Sequence, residues 1–464
     1  MEVVPIPTLS IPTSSIKEEP IQERKILLLW SFTVWLVVMN TTMFNVALPT
    51  ILAELSLTSV TASWIVSGYS IVFAISTLAF SRLSDYIPIA RLLLTGLMIL
   101  GIASIVGFFS NSFYLLLSAR ILQAVGAGAV PGLAMVLAGR YIPLSRRGKA
   151  MALIASAASL GFGIGPVIGG AITQYLGWNY LFTVTGFVLF STPFFKKLLP
   201  QEEIKNINFD LLGLILTACS VTSLLLFLST FSFTMLFSSV LIIAVTWLHI
   251  HKREQPFLQP QLLKNSQYIK LLFIGMTAFI THFSALFLMP IILTDVYQKE
   301  PAEVGLIIFP GAILSAITAP YIGSQIDRLG NGRVIITAQL FLFISTLAFA
   351  FLSTLSTYFI LFTYMFMSIG FSALTSSISN EVTRILPKDD IGSGMGMAQL
   401  TQFFGGAFGV TITGLGLNIQ EGLTLPIVYK NIYFGLTLLI GLTIFVFYFY
   451  YRKTVRINKN SDAF

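Results

Sequence analysis

The chain has 464 residues, of which 55% are hydrophobic and 10% charged, with a mean hydropathy of +0.86 and a net charge of +8. Soluble domains carry about 25% charged residues, so a soluble enzyme, a nucleic-acid binder and a disordered protein are excluded. A single cysteine excludes a disulfide framework or a cysteine metal site, and no cofactor is expected. The composition is that of a polytopic helical membrane protein.

Residues 1–24 are polar and carry Glu2, Glu18, Glu19 and Glu23 where a secretory signal needs a basic start. They are expected to form a cytoplasmic tail, 1–25. Fourteen apolar runs follow, each near the roughly 20 residues that a spanning helix needs. They cover 26–48, 60–81, 91–109, 113–138, 149–173, 179–196, 211–230, 233–250, 268–292, 304–325, 333–353, 357–379, 391–416 and 430–451. The runs are continuous rather than alternating, which excludes a β-barrel. Among the 27 lysines and arginines, Lys299 and Lys430 alone lie at odd-numbered loops, and Arg120 alone lies away from the ends of a span, whose edges are approximate. The rest lie in the tails and even-numbered loops, so both termini are expected in the cytoplasm and the basic excess is a topology signal.

After span two the chain reads Ser81-x-x-x-Asp85-x-x-Pro88-x-x-Arg91. After span ten it reads Gly323-x-x-x-Asp327-Arg328-x-Gly330-x-x-Arg333, at identical spacing. This pairs spans 1–6 with spans 9–14 as parallel halves, an architecture of transporters with the substrate path between the halves. The expected division is a half at 26–200, two inserted helices in 201–265, a half at 266–451 and a tail at 452–464. In each loop the aspartate can accept bonds from a neighbouring helix N-terminus while the arginine pairs with it, latching one side shut. A plain solvated turn is the alternative.

Further motifs carry a resemblance. Span one ends Asn45-Val46-Ala47-Leu48-Pro49. Span four contains Arg120-x-x-Gln123-Ala124-x-Gly126-Ala127-Gly128-Ala129, and span five Gly161-x-x-x-Gly165-Pro166-x-x-Gly169-Gly170. Trp178-Asn179-Tyr180-Leu181-Phe182 opens span six. From about residue 28 to 450 the chain resembles the fourteen-helix drug:proton antiporters of the Major Facilitator Superfamily. Its Asp295-Val296-x-Gln298, Ile307-Ile308-Phe309-Pro310-Gly311 and Arg140-Tyr141-Ile142-Pro143 segments are similar to tetracycline-type exporters of Gram-positive bacteria. Ser81, Pro88, Ala90 and Ala124 depart from the family patterns. The resemblance implies a proton-coupled exporter of amphipathic drugs in a bacterial plasma membrane. Small-molecule drugs, protons and the lipid bilayer would be its partners, with the chain acting as a monomer. A narrow tetracycline exporter and a lipid or fatty-acid exporter are the alternatives. A membrane-embedded enzyme would need clustered His, Asp or Glu within the spans, and these are absent.

Arg120, isolated in the membrane, costs about 2.5–3.5 kcal/mol to insert. It is expected to switch between partners or clamp helix ends. Asn40, Asn45, Gln123, Gln399 and Gln402, with Met135, Met395, Met397 and Phe403, offer polar and soft surface for a drug. No acid lies mid-span. The family's span-one acid would fall near Asn40 and Thr41, and the span-thirteen glutamate of the tetracycline exporters near Gly406; here all three are neutral. The remaining proton-coupling candidates are Asp295, Glu303, Glu381 and His282. Asp295 and Glu303 are equally readable as solvated ends, Glu381 as a partner of Arg384, and His282 as a packed polar residue. Asp85 and Asp327 are expected to titrate too low to carry protons, and Asp327, in the fuller motif, to make the stronger latch. Gly161, Gly165 and Gly169, and in span thirteen Gly405 and Gly409, form small faces that are expected to meet helices of the other half. Gly165-Pro166 supplies a bend for gating.

Overall fold

In a bilayer core the backbone finds no water, so each apolar run satisfies its N–H and C=O groups within itself as a helix. The computed structural model describes residues 22–57, 59–200, 202–204, 209–230, 232–420 and 422–461. The first part of the chain forms α1 (Glu23–Glu54), α2 (Ser59–Leu83), α3 (Ile89–Phe108), α4 (Phe113–Tyr141), α5 (Leu144–Tyr175), α6 (Tyr180–Gly186) and α7 (Thr192–Leu198). The middle forms α8 (Leu211–Thr230), α9 (Phe233–Lys252) and the short α10 (Pro260–Lys264). Then come α11 (Ser266–Asp295), α12 (Pro301–Leu329), α13 (Asn331–Leu352), α14 (Thr357–Ile385), α15 (Ile391–Ile419) and α16 (Leu425–Ser461). No strand occurs among the described residues.

Thirteen of these helices are long and apolar enough to cross a membrane. The expected sixth span is instead a chain of three pieces: α6, a 3-10 segment Phe187–Ser191, and α7. Pro193 sits in the first turn of α7, where its missing N–H interrupts the ladder. The last helix overruns the expected span and takes in most of the expected tail, 452–464. The N-terminal tail lies outside the described residues up to residue 21.

The packing repeats. Alanine methyls built on Gly161 and Gly169 would meet the backbone of α1 at Trp35 O and Met39 N (both 2.9 Å) and at Met43 O (2.7 Å). On Gly405 and Gly409 they would meet α11 at Met276 O (2.5 Å) and Ile280 O (2.6 Å). Each glycine face therefore seats its helix on the first helix of its own half. This corrects the expectation that these faces meet the opposite half. The cross-half contacts use other faces: α5 meets α12, where a methyl on Gly163 would stand 2.2 Å from Ala312 Cβ, and α15 meets α2.

Candidate functional site

The α2–α3 and α12–α13 loops lie at the end of the bundle that carries the basic loops, and each delivers its aspartate to the other half. Asp85 accepts from the Gly392 and Ser393 amides, both 3.1 Å away in the first turn of α15, and from Ser393 Oγ. Arg82 (3.1 Å) and Arg140 (2.5 Å) complete its shell, and its side chain is 5% exposed. Asp327 accepts from the amides of Gly148 (2.8 Å) and Lys149 (3.3 Å) near the start of α5. A carboxylate at the positive end of a helix is stabilised by the oriented N–H groups. Both aspartates therefore tie the halves together, but the ranking expected from the motifs is reversed. Asp85, in the degenerate loop, has the fuller set of partners.

The motif arginines do not supply those partners. Arg91, Arg328 and Arg333 are exposed, while Arg82 and Arg140 face inward. Burial pushes the Asp85 carboxyl above the usual range, although Ser393, Arg140 and Arg82 hold it down. Burial likewise raises the Asp327 carboxyl, against the pull of the Gly148 and Lys149 amides. The expected low titration of both aspartates is thus corrected.

Glycine makes this close approach possible. An added methyl would stand 2.4 Å from Lys149 Cα at Gly323, 2.5 Å from Asp327 Oδ1 at Gly148 and 2.2 Å from Asp85 Oδ1 at Gly392. At Gly139 it would stand 2.7 Å from Thr383 Cγ2. The basic end is consequently a closed seam. Gln399 adds a bond across it, donating to Pro131 O on α4 (3.1 Å).

Beyond the seam lies a cavity of 540 Å³ between the halves. Its α15 wall runs from Phe403 to Thr411, about 16 to 28 Å along the helix from Gly392. Two aromatic pairs bridge the halves within its lining: Phe73 with Phe403, and Phe162 with Phe283, each at 5.0 Å and edge-on. Thr41, Thr42, Asn45, Ser70 and Thr411 supply the polar groups, and none of the described residues that line it is charged.

Of the residues expected to bind substrate, Asn45 and Phe403 line this cavity. Asn40, Arg120 and Gln123 gather instead inside the first half. Arg120 is fully buried between the Phe44 and Tyr69 rings, each 3.9 Å from its guanidinium carbon. It donates to Gln123 Oε1 (2.9 Å), Asn40 Oδ1 (3.3 Å) and Ile65 O (3.5 Å), which joins α1, α2 and α4. Gln123 in turn donates to Ser104 on α3. Met135 packs into the core, and Gln402 lies beside Gly275 of α11.

The four acid–base candidates separate equally clearly. Asp295 is exposed at the end of α11, with the Tyr429 hydroxyl 3.3 Å away. Glu303 pairs with Lys299 (2.6 Å) and accepts from the Glu300 amide in a capping box. Glu381 is buried and accepts from Asn331 (2.6 Å), Arg384 (2.5 Å) and the Tyr450 hydroxyl, joining α13, α14 and α16. His282 is 1% exposed and stacks on Phe371 at 3.9 Å, and neither ring nitrogen has a hydrogen-bond partner among the described residues.

The sequence match to known proteins agrees with this geometry. The family model of the Major Facilitator Superfamily matches residues 30–410 and 271–463. The chain belongs to the Major Facilitator Superfamily. It is 26% identical over 397 residues to the riboflavin transporter RibZ of Clostridioides difficile (strain 630), covering 84% of this chain and 85% of that protein. It is 26% identical over 398 residues to the multidrug transporter protein MdtP of Bacillus subtilis (strain 168), covering 82% and 73%. The crystal structure of the human organic anion transporter MFSD10 (TETRAN) shares the fold, with a TM-score of 0.69 at 16% identity over 92% of this chain and 99% of that one. Within this membrane transporter family, two of the chain's departures fall at the cavity. Thr41 and Gly406, two positions where an acid is expected by resemblance, lie on its wall and leave it neutral.

Sequence reading missed Gly392, Ser393 and Gly148 as donors to the two aspartates, and Arg140 as a partner of Asp85. Their one signal was the equal spacing of the two loops, which says that each aspartate has a counterpart but not which helix it meets.

Proposed function

We propose that the protein is a secondary active exporter of amphipathic aromatic drugs, exchanging them for protons by alternating access. The observation that carries this reading is the interface cavity: charge-free, aromatic, rimmed by hydroxyls and sealed at the basic end. Such a wall suits neutral, zwitterionic or monocationic ring systems, and its size falls in the usual ligand range of about 300–1,000 Å³. With both termini in the cytoplasm of a bacterial cell, the seam closes the inner side. Residues 26–200 and 266–451 then move against each other as a monomer. Asp85 and Asp327 hold the closed side, and Pro166 bends α5. His282 is the proton carrier we favour, because it is unpaired and adjacent to Phe283 of the cavity wall. Its protonation would need water from the cavity to reach it.

A second reading is riboflavin transport. The cavity pairs aromatic surface with hydroxyl and amide groups, which suits a neutral three-ring system bearing a polyol, and RibZ is named for that substrate. The test is a fluorescence titration of the purified protein with ethidium, norfloxacin, tetracycline and riboflavin. Saturable binding that weakens in Phe403→Ala supports the cavity as the site. Binding of riboflavin alone selects the second reading, and binding of none overturns both.

A further inference from the structure

The helices α8 and α9 have no counterpart in the repeat. Only 17% of the membrane-length window of each is buried, the lowest share among the thirteen spans. Yet α8 is not free of the core. It touches α2 and α15, the two helices that flank one side of the cavity, and its Val221, Leu225 and Leu226 are part of the cavity lining. Without α8, that side of the cavity would face lipid.

The position of α8 is fixed at its foot. Asp210, 4% exposed, accepts from the Gly213 amide (2.9 Å), the Phe257 amide (3.0 Å) and His249 Nε2 (2.9 Å). One carboxylate thereby joins the start of α8, the end of α9 and the strap that follows. Phe257 of the strap is buried with Ala74 and Leu78 of α2 and Leu400 of α15, and Val221 packs on the same cluster. Higher up, Ser220 and Thr246 bond α8 to α9 at 2.8 Å. With its amide oriented to suit its neighbours, Gln259 of the strap bridges Asp390 (3.2 Å) and Arg82 (3.0 Å) at the seam.

We infer that α8 is the specificity wall of the cavity: Val221 and Leu225 contact the apolar flank of an uncharged fused-ring ligand and set the largest ring system admitted. This rests on the reading of the cavity as the substrate site. The side chains at 221 and 225 lie one turn apart on one face, while Cys219 is exposed on another. A larger side chain at 225 therefore fills ligand space, and one at 219 does not.

The test measures binding of the four probes named above to Leu225→Trp, Leu225→Ala and Cys219→Trp. Leu225→Trp is expected to weaken the largest probe bound at least tenfold and the smallest less than threefold. Leu225→Ala is expected to narrow that difference, and Cys219→Trp to change neither. If Phe403→Ala weakens binding while both Leu225 variants match the unaltered protein, the role of α8 is wrong and the cavity reading stands. If Phe403→Ala has no effect, or no probe binds, both fail. Equal loss for every probe in Leu225→Trp, with Leu225→Ala unchanged, also overturns the inference, because it marks displaced packing rather than a size filter.

Discussion

Gly323→Ala tests the seam by the addition of one methyl group. The new carbon would stand 2.4 Å from Lys149 Cα and 2.9 Å from Lys149 N, both backbone atoms that cannot rotate away. Relief requires α12 and α5 to part by about 1 Å to reach ordinary contact. Asp327 then loses its bonds to the Gly148 and Lys149 amides, now 2.8 and 3.3 Å long. Overpacking costs about 1–3 kcal/mol, and a bond to a charged group contributes about 1.5–3 kcal/mol. Partial relaxation leaves about 3 kcal/mol against the closed seam, a shift of about a hundredfold in the ratio of closed to open forms. The penalty falls on one conformation because Gly323 and Lys149 belong to different halves. The assay places spin labels at Ser145→Cys and Leu329→Cys, both exposed beside the seam, in a Cys219→Ser background. A short inter-label distance is expected for the unaltered glycine and a longer one in Gly323→Ala. Gly414→Ala, which meets nothing within 4 Å, is the control. If Gly323→Ala melts at a lower temperature but keeps the short distance, the seam is static packing and the reasoning fails.

Three further predictions follow from the same contacts. Asp85→Ala leaves Arg82, Arg140 and two helix amides without their shared acceptor, a loss of about 3 kcal/mol or more; it should open the labelled seam further than Asp327→Ala, and the opposite order would restore the ranking expected from the motifs. Because burial raises the Asp85 carboxyl, the closed seam binds a proton more readily than an open one that exposes it to water. The resulting preference for closure is complete below the ordinary carboxylate range and is lost as pH rises through the raised value, so the short-distance fraction should grow on acidification; this dependence should weaken in Asp85→Asn and vanish when Asp327, also raised by burial, is changed to Asn as well, and acid-induced opening would contradict the assignment. Glu381→Gln should lower the melting temperature without moving the label distance, since its partners Asn331, Arg384 and Tyr450 all lie on helices of one half; a changed distance would bring Glu381 into the conformational cycle.

The sequence reveals what depends on composition along one helix, and obscures what depends on how helices turn toward each other. Hydropathy located thirteen of the membrane-length helices because a bilayer demands length and apolarity from each run separately. At 179–196 the apolar run is helical in three consecutive pieces around Pro193 rather than one membrane-length helix, a break that hydropathy does not register. The glycine spacing of α5 correctly showed a close helix contact, but a stripe carries no address, and its partner is α1 of the same half. Asp85 lost the comparison with Asp327 for a related reason. Motif completeness describes the loop, whereas the strength of the latch depends on Arg140 and on the α15 amides some 307 residues away. Arg120 was recognisable as a buried cation needing partners, and it found aromatic faces and amides rather than an acid. The contribution of α8 to the cavity wall left no trace in its own sequence, because a leucine facing a cavity and one facing lipid read alike.

We propose that the charge-free cavity carries neutral or weakly charged aromatic molecules across the membrane in exchange for protons. The most direct test reconstitutes the purified protein in liposomes, imposes a pH gradient, and follows internal pH together with flux of ethidium, norfloxacin, tetracycline and riboflavin in turn. We expect saturable flux of at least one probe, accompanied by proton movement that depends on that probe, with both reduced in Phe403→Ala. Probe flux with no proton movement would contradict the exchange, and flux untouched by Phe403→Ala would contradict the cavity as the path.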